Sequence, residues 1–165
     1  MQNIRRATVD DCCLIHELAA EAFPHTYQHI LTSEQIDYMM HWMYDPENIR
    51  KQMEEEGHVY FIISQDGVPA GYVSVRPDGD ALFHLEKIYV LPRFQKSHCG
   101  GALFAHVKNY VKSLCPHKCA IELNVNRHNP ALGFYLHMGM RIDRQGDFPI
   151  GNGYYMNDYI MRLEL

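Results

Sequence analysis

What this sequence lacks narrows it first. No apolar run approaches the ~18 residues needed to span a bilayer. The opening MQNIRRATVDD has two arginines with no apolar segment behind them, so it does not read as a secretory leader. A soluble, cytoplasmic protein with no membrane partner is expected. There is no repeat, no low-complexity stretch and no Pro/Gly/Ser-rich linker, so residues 1–165 are read as one domain. Excess positive charge is missing too. A net charge of -5 and a pI near 6.1 argue against a nucleic-acid binder, whose basic face must displace counterions. Five cysteines is an odd count in a leaderless chain, which predicts reduced thiols rather than a disulfide framework.

Metal motifs are incomplete. Cys115-Pro-His117-Lys-Cys119 has no second pair at zinc spacing, and His16-Glu17 starts a zincin-like pattern that Ala20 ends. No metal site is expected. Neither GxxxxGK[ST] nor GxGxxG occurs.

What is present suits an ordinary globular domain: 165 residues with 47% apolar content, enough for a full core. A first strand is predicted over 2–7 and a helix over about 9–22, followed by a loop Phe23-Pro-His-Thr-Tyr27. Thr32-x-x-Gln35 is a capping box for a second helix bearing Ile36, Met39, Met40 and Met43. Its methionines suit core packing or a homodimer interface. Asp45-Pro46 starts a third helix, and Gly57 ends it. Asp66-Gly67 marks a hairpin between strands 59–64 and 70–75; a turn at Pro77–Asp80 leads into a strand over 81–91. A helix from Gly100 to Leu114, a strand near 119–125, a short helix over 130–137 and strands near 140–145 and 154–164 complete an α+β domain.

The informative stretch is Leu85–Leu103. A strand runs into a tight loop, and the loop opens a helix beginning with two glycines. Such a junction aims free backbone N–H groups and the positive end of a helix dipole at one point, a natural seat for phosphate.

These residues resemble the GNAT N-acyltransferase superfamily. Its pyrophosphate loop reads [Q/R]-x-x-G-x-[G/A] after a strand ending like IYVLP. Here Ile88-Tyr-Val-Leu-Pro92 precedes Gln95-Lys-Ser-His-Cys-Gly100, a match except that His98 replaces the first glycine. Asn129-Pro-Ala-Leu-Gly-Phe-Tyr135-Leu-His-Met-Gly139-Met140 is similar to a second family signature, with Met140 in place of an aromatic. The tail around Tyr154, Tyr155 and Asp158 is similar to the closing strand of bacterial polyamine acetyltransferases.

The resemblance implies a single mixed, mostly antiparallel sheet flanked by helices, with two parallel strands splayed into an acyl-CoA cleft. It implies acetyl-CoA as cosubstrate and an amine as acceptor. The pantetheine arm would pair with Ile88, Tyr89 and Val90, and Gln95, Lys96, Ser97, His98, Cys99, Gly100 and Gly101 would hold the diphosphate, with Ala102 beginning the helix. Asn129 would contact the arm or support the loop. Tyr135 would protonate the leaving thiolate, and the Val90 N–H would steady the carbonyl oxygen. Glu86 and His84, two apart on one strand face, are expected to share that face with Ile88 and Val90, which makes them candidate bases. Tyr27, Tyr154, Tyr155 and Asp158 suit a cationic small-molecule amine such as a polyamine. Three other readings stay open: acetylation of a protein N-terminus or lysine, a non-catalytic acyl-CoA sensor, and a metal-dependent regulator built on Cys115, His117 and Cys119.

Overall fold

The computed structural model describes all residues 1–165. Strands β1 (Gln2–Arg6), β2 (Val59–Gln65), β3 (Val68–Gly79), β4 (Leu82–Val90), β5 (Ala120–Asn126), β6 (Arg141–Gly151) and β7 (Tyr154–Glu164) form one sheet in the order β1-β2-β3-β4-β5-β7-β6. Helices α1 (Cys12–Tyr27), α2 (Ser33–Tyr44) and α3 (Pro46–Glu55) cover one face; α4 (Cys99–Leu114) and α5 (Ala131–His137) cover the other. Each helix buries one stripe. On α4, Cys99, Leu103, Phe104, Val107 and Val111 face β2, β3 and β4, each large apolar side chain contributing about 1.5–3 kcal/mol. Met39, Met40 and Met43 of α2 pack into the opposite core, as the core reading of that helix predicts.

Every neighbouring pair of strands is antiparallel except β4 and β5. That parallel pair is joined only over Leu82–His84 and Ala120–Glu122. Beyond it, β4 bonds only to β3 and β5 only to β7, so the sheet opens at its centre. The cause lies in β4. Ser74 pairs with Lys87 but Val75 pairs with Leu85, which leaves Glu86 as an extra residue, a β-bulge. Bulges bend a strand and raise its twist, and this one turns β4 away from β5. Gly71 keeps β3 close to β4 beyond the bulge, since a Cβ there would lie 2.5 Å from the Tyr89 carbonyl oxygen.

The bulge also corrects the expected side-chain phase. Phe83 and Leu85 face the α4 core, and so do Ile88 and Val90, because the extra residue shifts the alternation by one. His84, Glu86 and Lys87 therefore point to the α1–α3 face, opposite Ile88 and Val90 rather than beside them.

Helix α1 corrects a second expectation. It continues through Pro24 to Tyr27, where a loop was predicted. An interior proline costs about 3 kcal/mol. Phe23 and Tyr27 offset it by burying their rings one turn apart, with centroids 4.7 Å apart. The β3–β4 turn likewise moves to Asp80–Ala81, because β3 keeps its pairing to Gly79.

Candidate active site

A cleft of about 1180 Å³ opens where β4 and β5 part. Its walls are Leu85–Val90 of β4, Leu123–Val125 of β5, the start of α4, the segment around α5, and His25–Ile30 at the end of α1. The β4 wall is a free strand edge. Leu91 donates its N–H to the Ala70 carbonyl on β3, so by the alternation of the ladder the N–H of Val90 points toward β5, where no strand is paired with it. An extended amide-bearing chain would find donors and acceptors there.

At the far end of that edge, a 3₁₀ segment over Pro92–Ser97 leads to His98 at φ 64° and ψ 20°, the left-handed region that favours glycine. The histidine thus holds the backbone conformation expected of the glycine it replaces. Its turn launches α4 at Cys99, one residue before the expected Gly100, so Ala102 lies in the first turn rather than at the start. The first intrahelical bond runs from the Ala102 N–H to the His98 carbonyl. The N–H groups of Cys99, Gly100 and Gly101 therefore have no intrahelical acceptor. Gly100 and Gly101 line the cleft, and a Cβ at Gly101 would meet nothing within 4 Å. This arrangement fits a diphosphate: free donors, a positive helix end and room to approach the backbone.

Tyr135 lies on α5 and lines the cleft. Its side chain is buried, which raises its pKa and keeps the phenol protonated. No protein group hydrogen-bonds its hydroxyl. Asn129 supports the helix from below. Its Oδ1 accepts from the Ala131 N–H at 2.9 Å, and its Nδ2 donates to the Tyr27 hydroxyl at 3.3 Å. Tyr27 itself lines the cleft, its phenol also pushed up by burial.

Several expected residues lie elsewhere. Lys96, Ser97, Cys99 and Ala102 do not line the cleft. Ser97 turns its hydroxyl to the Phe94 carbonyl at 2.5 Å, and Cys99 is buried in the α4 core. His84 is outside the cleft, and Glu86 touches it but gives its carboxylate to Arg76, with Oε1 2.5 Å from Nε. A carboxylate held by a guanidinium on the far face is a poor base for an amine in the cleft. Tyr154 packs on Tyr38, with ring centroids 5.3 Å apart, and Tyr155 is exposed beside it. Asp158 is buried behind the β5 wall. Its Oδ2 accepts from Asn124 at 3.2 Å, its Oδ1 has no partner, and burial raises its pKa.

Two features escaped the sequence. Besides the expected His98, four histidines line the cleft, namely His25, His29, His128 and His137. Only proximity to the α5 motif hinted at the last two. Lys87 gave no signal at all; a lysine in a strand reads as solvated, yet here it is buried.

Residues 14–140 match the model of the acetyltransferase (GNAT) family, and the chain belongs to that family. Among solved structures, the fold is similar to the PaiA N-acetyltransferase of Thermoplasma acidophilum in complex with coenzyme A, with a TM-score of 0.83 at 19% identity, covering 100% of this chain and 99% of that one. A GCN5-related N-acetyltransferase of Rhodopseudomonas palustris gives 0.83 at 16% identity, with coverage of 100% and 96%. The ribosomal-protein-S18-alanine N-acetyltransferase of Escherichia coli gives 0.72 at 18% identity, with coverage of 99% and 94%. No protein of curated function matches the sequence significantly.

Proposed function

We propose that this protein transfers the acetyl group of acetyl-CoA to the primary amine of a small molecule by direct attack. One observation carries the reading. A free strand edge, an unpartnered helix N-terminus and an unpartnered phenol converge on a single cleft.

Acetyl-CoA is consumed, so it is a substrate here. The edge of Ile88–Val90 would hold its pantetheine arm as an added strand, and the N–H groups of Gly100 and Gly101 its diphosphate. The amine nitrogen attacks the thioester carbonyl; a C–N bond forms and the C–S bond breaks. Charge developing on the carbonyl oxygen would be met by the Val90 N–H. The departing thiolate takes the proton of Tyr135, a phenol that is protonated at pH 7, and the tyrosinate is restored by the second proton, which the nitrogen sheds once the C–N bond has formed. An alkyl amine near pKa ~10.4 must first lose a proton, at a cost of about 4–5 kcal/mol at pH 7. With Glu86 committed to Arg76, that proton would leave through cleft water to the lining histidines.

For the acceptor, polyamines are the first class to test, motivated by the resemblance of the closing strand to polyamine acetyltransferases and by Tyr27 in the cleft wall. Thiol release from acetyl-CoA over a panel of polyamines, amino acids and N-terminal peptides decides the matter. Turnover of a small amine above peptides supports the proposal. Preference for a peptide N-terminus replaces it with protein acetylation. CoA binding without turnover on any amine replaces it with a sensor.

A further inference from the structure

A second cavity, of about 540 Å³, lies on the α1–α3 face, between the end of α2, α3 and strands β3 and β4. Its floor is Lys87. The ammonium is nine-tenths buried and donates to Gln52 Oε1 at 2.8 Å and to the Tyr60 hydroxyl at 2.6 Å. Both acceptors are neutral, the third N–H is unassigned, and no carboxylate lies within ion-pair distance of Nζ. The rings of Tyr44 and Tyr60 sit 4.8 and 5.2 Å from it, further screening it from water. The other strong cation of the cavity, Arg76, is already committed to Glu86 and Asp78.

Beside this floor, His58 Nδ1 is buried and has no partner. Lys51 and Glu56 line the cavity as exposed residues, and Lys51 makes no ion pair. A buried ammonium whose two hydrogen-bond acceptors are neutral is costly even with Glu86 and Glu56 near enough to favour its charge, and so is an unmatched ring nitrogen. With His58 in its Nδ1–H tautomer, both deficits are met by one kind of visitor, an acceptor-rich anion. An entering cation would instead meet Lys87 and Lys51, with Glu86 already held by Arg76 and Glu56 the one carboxylate of the cavity without an ion pair.

We infer that this cavity binds a compact oxyanion, a carboxylate or phosphate group, on Lys87 and His58 with Lys51 at its mouth. The bulge residues Glu86 and Lys87 line both this cavity and the acyl cleft, so the bound anion acts on the element that splays β4 from β5. Burial lowers the Lys87 amine to about 7, and an anion would restore its proton.

The test is thermal unfolding in graded sodium phosphate or sodium acetate against sodium chloride at matched ionic strength, with and without saturating CoA. The two arms distinguish the phosphate from the carboxylate. One of the two anions should raise Tm by roughly 3–6 °C at ten times its Kd, with CoA bound. Lys87→Met should abolish that rise, and the rim variant Lys51→Ala, which leaves the buried floor intact, should cut the apparent affinity severalfold. Equal shifts in chloride, equal shifts in both variants, or a shift that vanishes once CoA is bound would overturn the proposal; the last would place the anion in the acyl cleft. Should Lys87→Met not fold, the Lys51→Ala titration decides alone.

Discussion

Replacing Lys87 with methionine should change how stability depends on pH, by an amount the structure sets. The amine is lowered from 10.5 to about 7, first by burial. In the unfolded chain it stays protonated to about pH 10.5, and in the folded chain only to about 7. Between those values the unfolded state binds more protons, so stability rises with pH there. The penalty for burying the ammonium is fully present at pH 6 and a little more than half relieved by pH 9. At 1.36 kcal/mol per pH unit, the wild type should gain roughly 3 kcal/mol between pH 6 and pH 9 from this group. Methionine has no such term. Urea unfolding followed by circular dichroism, in chloride buffers free of phosphate and carboxylates, measures both proteins at each pH. The stability of Lys87→Met minus that of wild type should shrink by roughly 3 kcal/mol over that range. A difference that stays constant would show that the ammonium is hydrated in the folded protein and that the floor of the second cavity is not a buried cation.

Three further outcomes test the acyl cleft. Tyr135→Phe should lower kcat about 10²–10⁴-fold with KM for acetyl-CoA within twofold, read by thiol release, and leave Tm nearly unchanged because the hydroxyl has no protein partner. Gly101→Leu should fold normally, since its Cβ meets open space, yet weaken CoA binding at least tenfold by calorimetry. His98→Gly should raise stability by about 1 kcal/mol by removing a left-handed side-chain penalty, with CoA affinity kept or improved; a tenfold loss would mean that the imidazole contacts the ligand.

Local chemistry made much of the fold legible. Asp66-Gly67 was readable as a hairpin because both residues tolerate positive φ, and they adopt 51° and 82°. Thr32 caps α2 through the Gln35 N–H as expected, although the Gln35 side chain leaves the box to reach the Tyr155 carbonyl. The loop before α4 was legible from its glycines and from the strand before it. What the sequence hid were tertiary effects. A one-residue bulge leaves no mark in composition, yet it reverses the phase of β4 and sends Glu86 to Arg76 instead of into the cleft. Pro24 reads as a break, and only the burial of Phe23 and Tyr27 carries the helix through it. Asp158 suited an acceptor site by residue type, but β5 stands between it and the cleft.

The most direct test is a crystal structure with CoA bound. The pantetheine arm should run between Ile88–Val90 and Leu123–Val125, with the diphosphate on the N–H groups of Gly100 and Gly101 and the thiol within hydrogen-bond reach of Tyr135. CoA bound outside this gap, or β4 and β5 closed onto each other along their full length, would contradict the account.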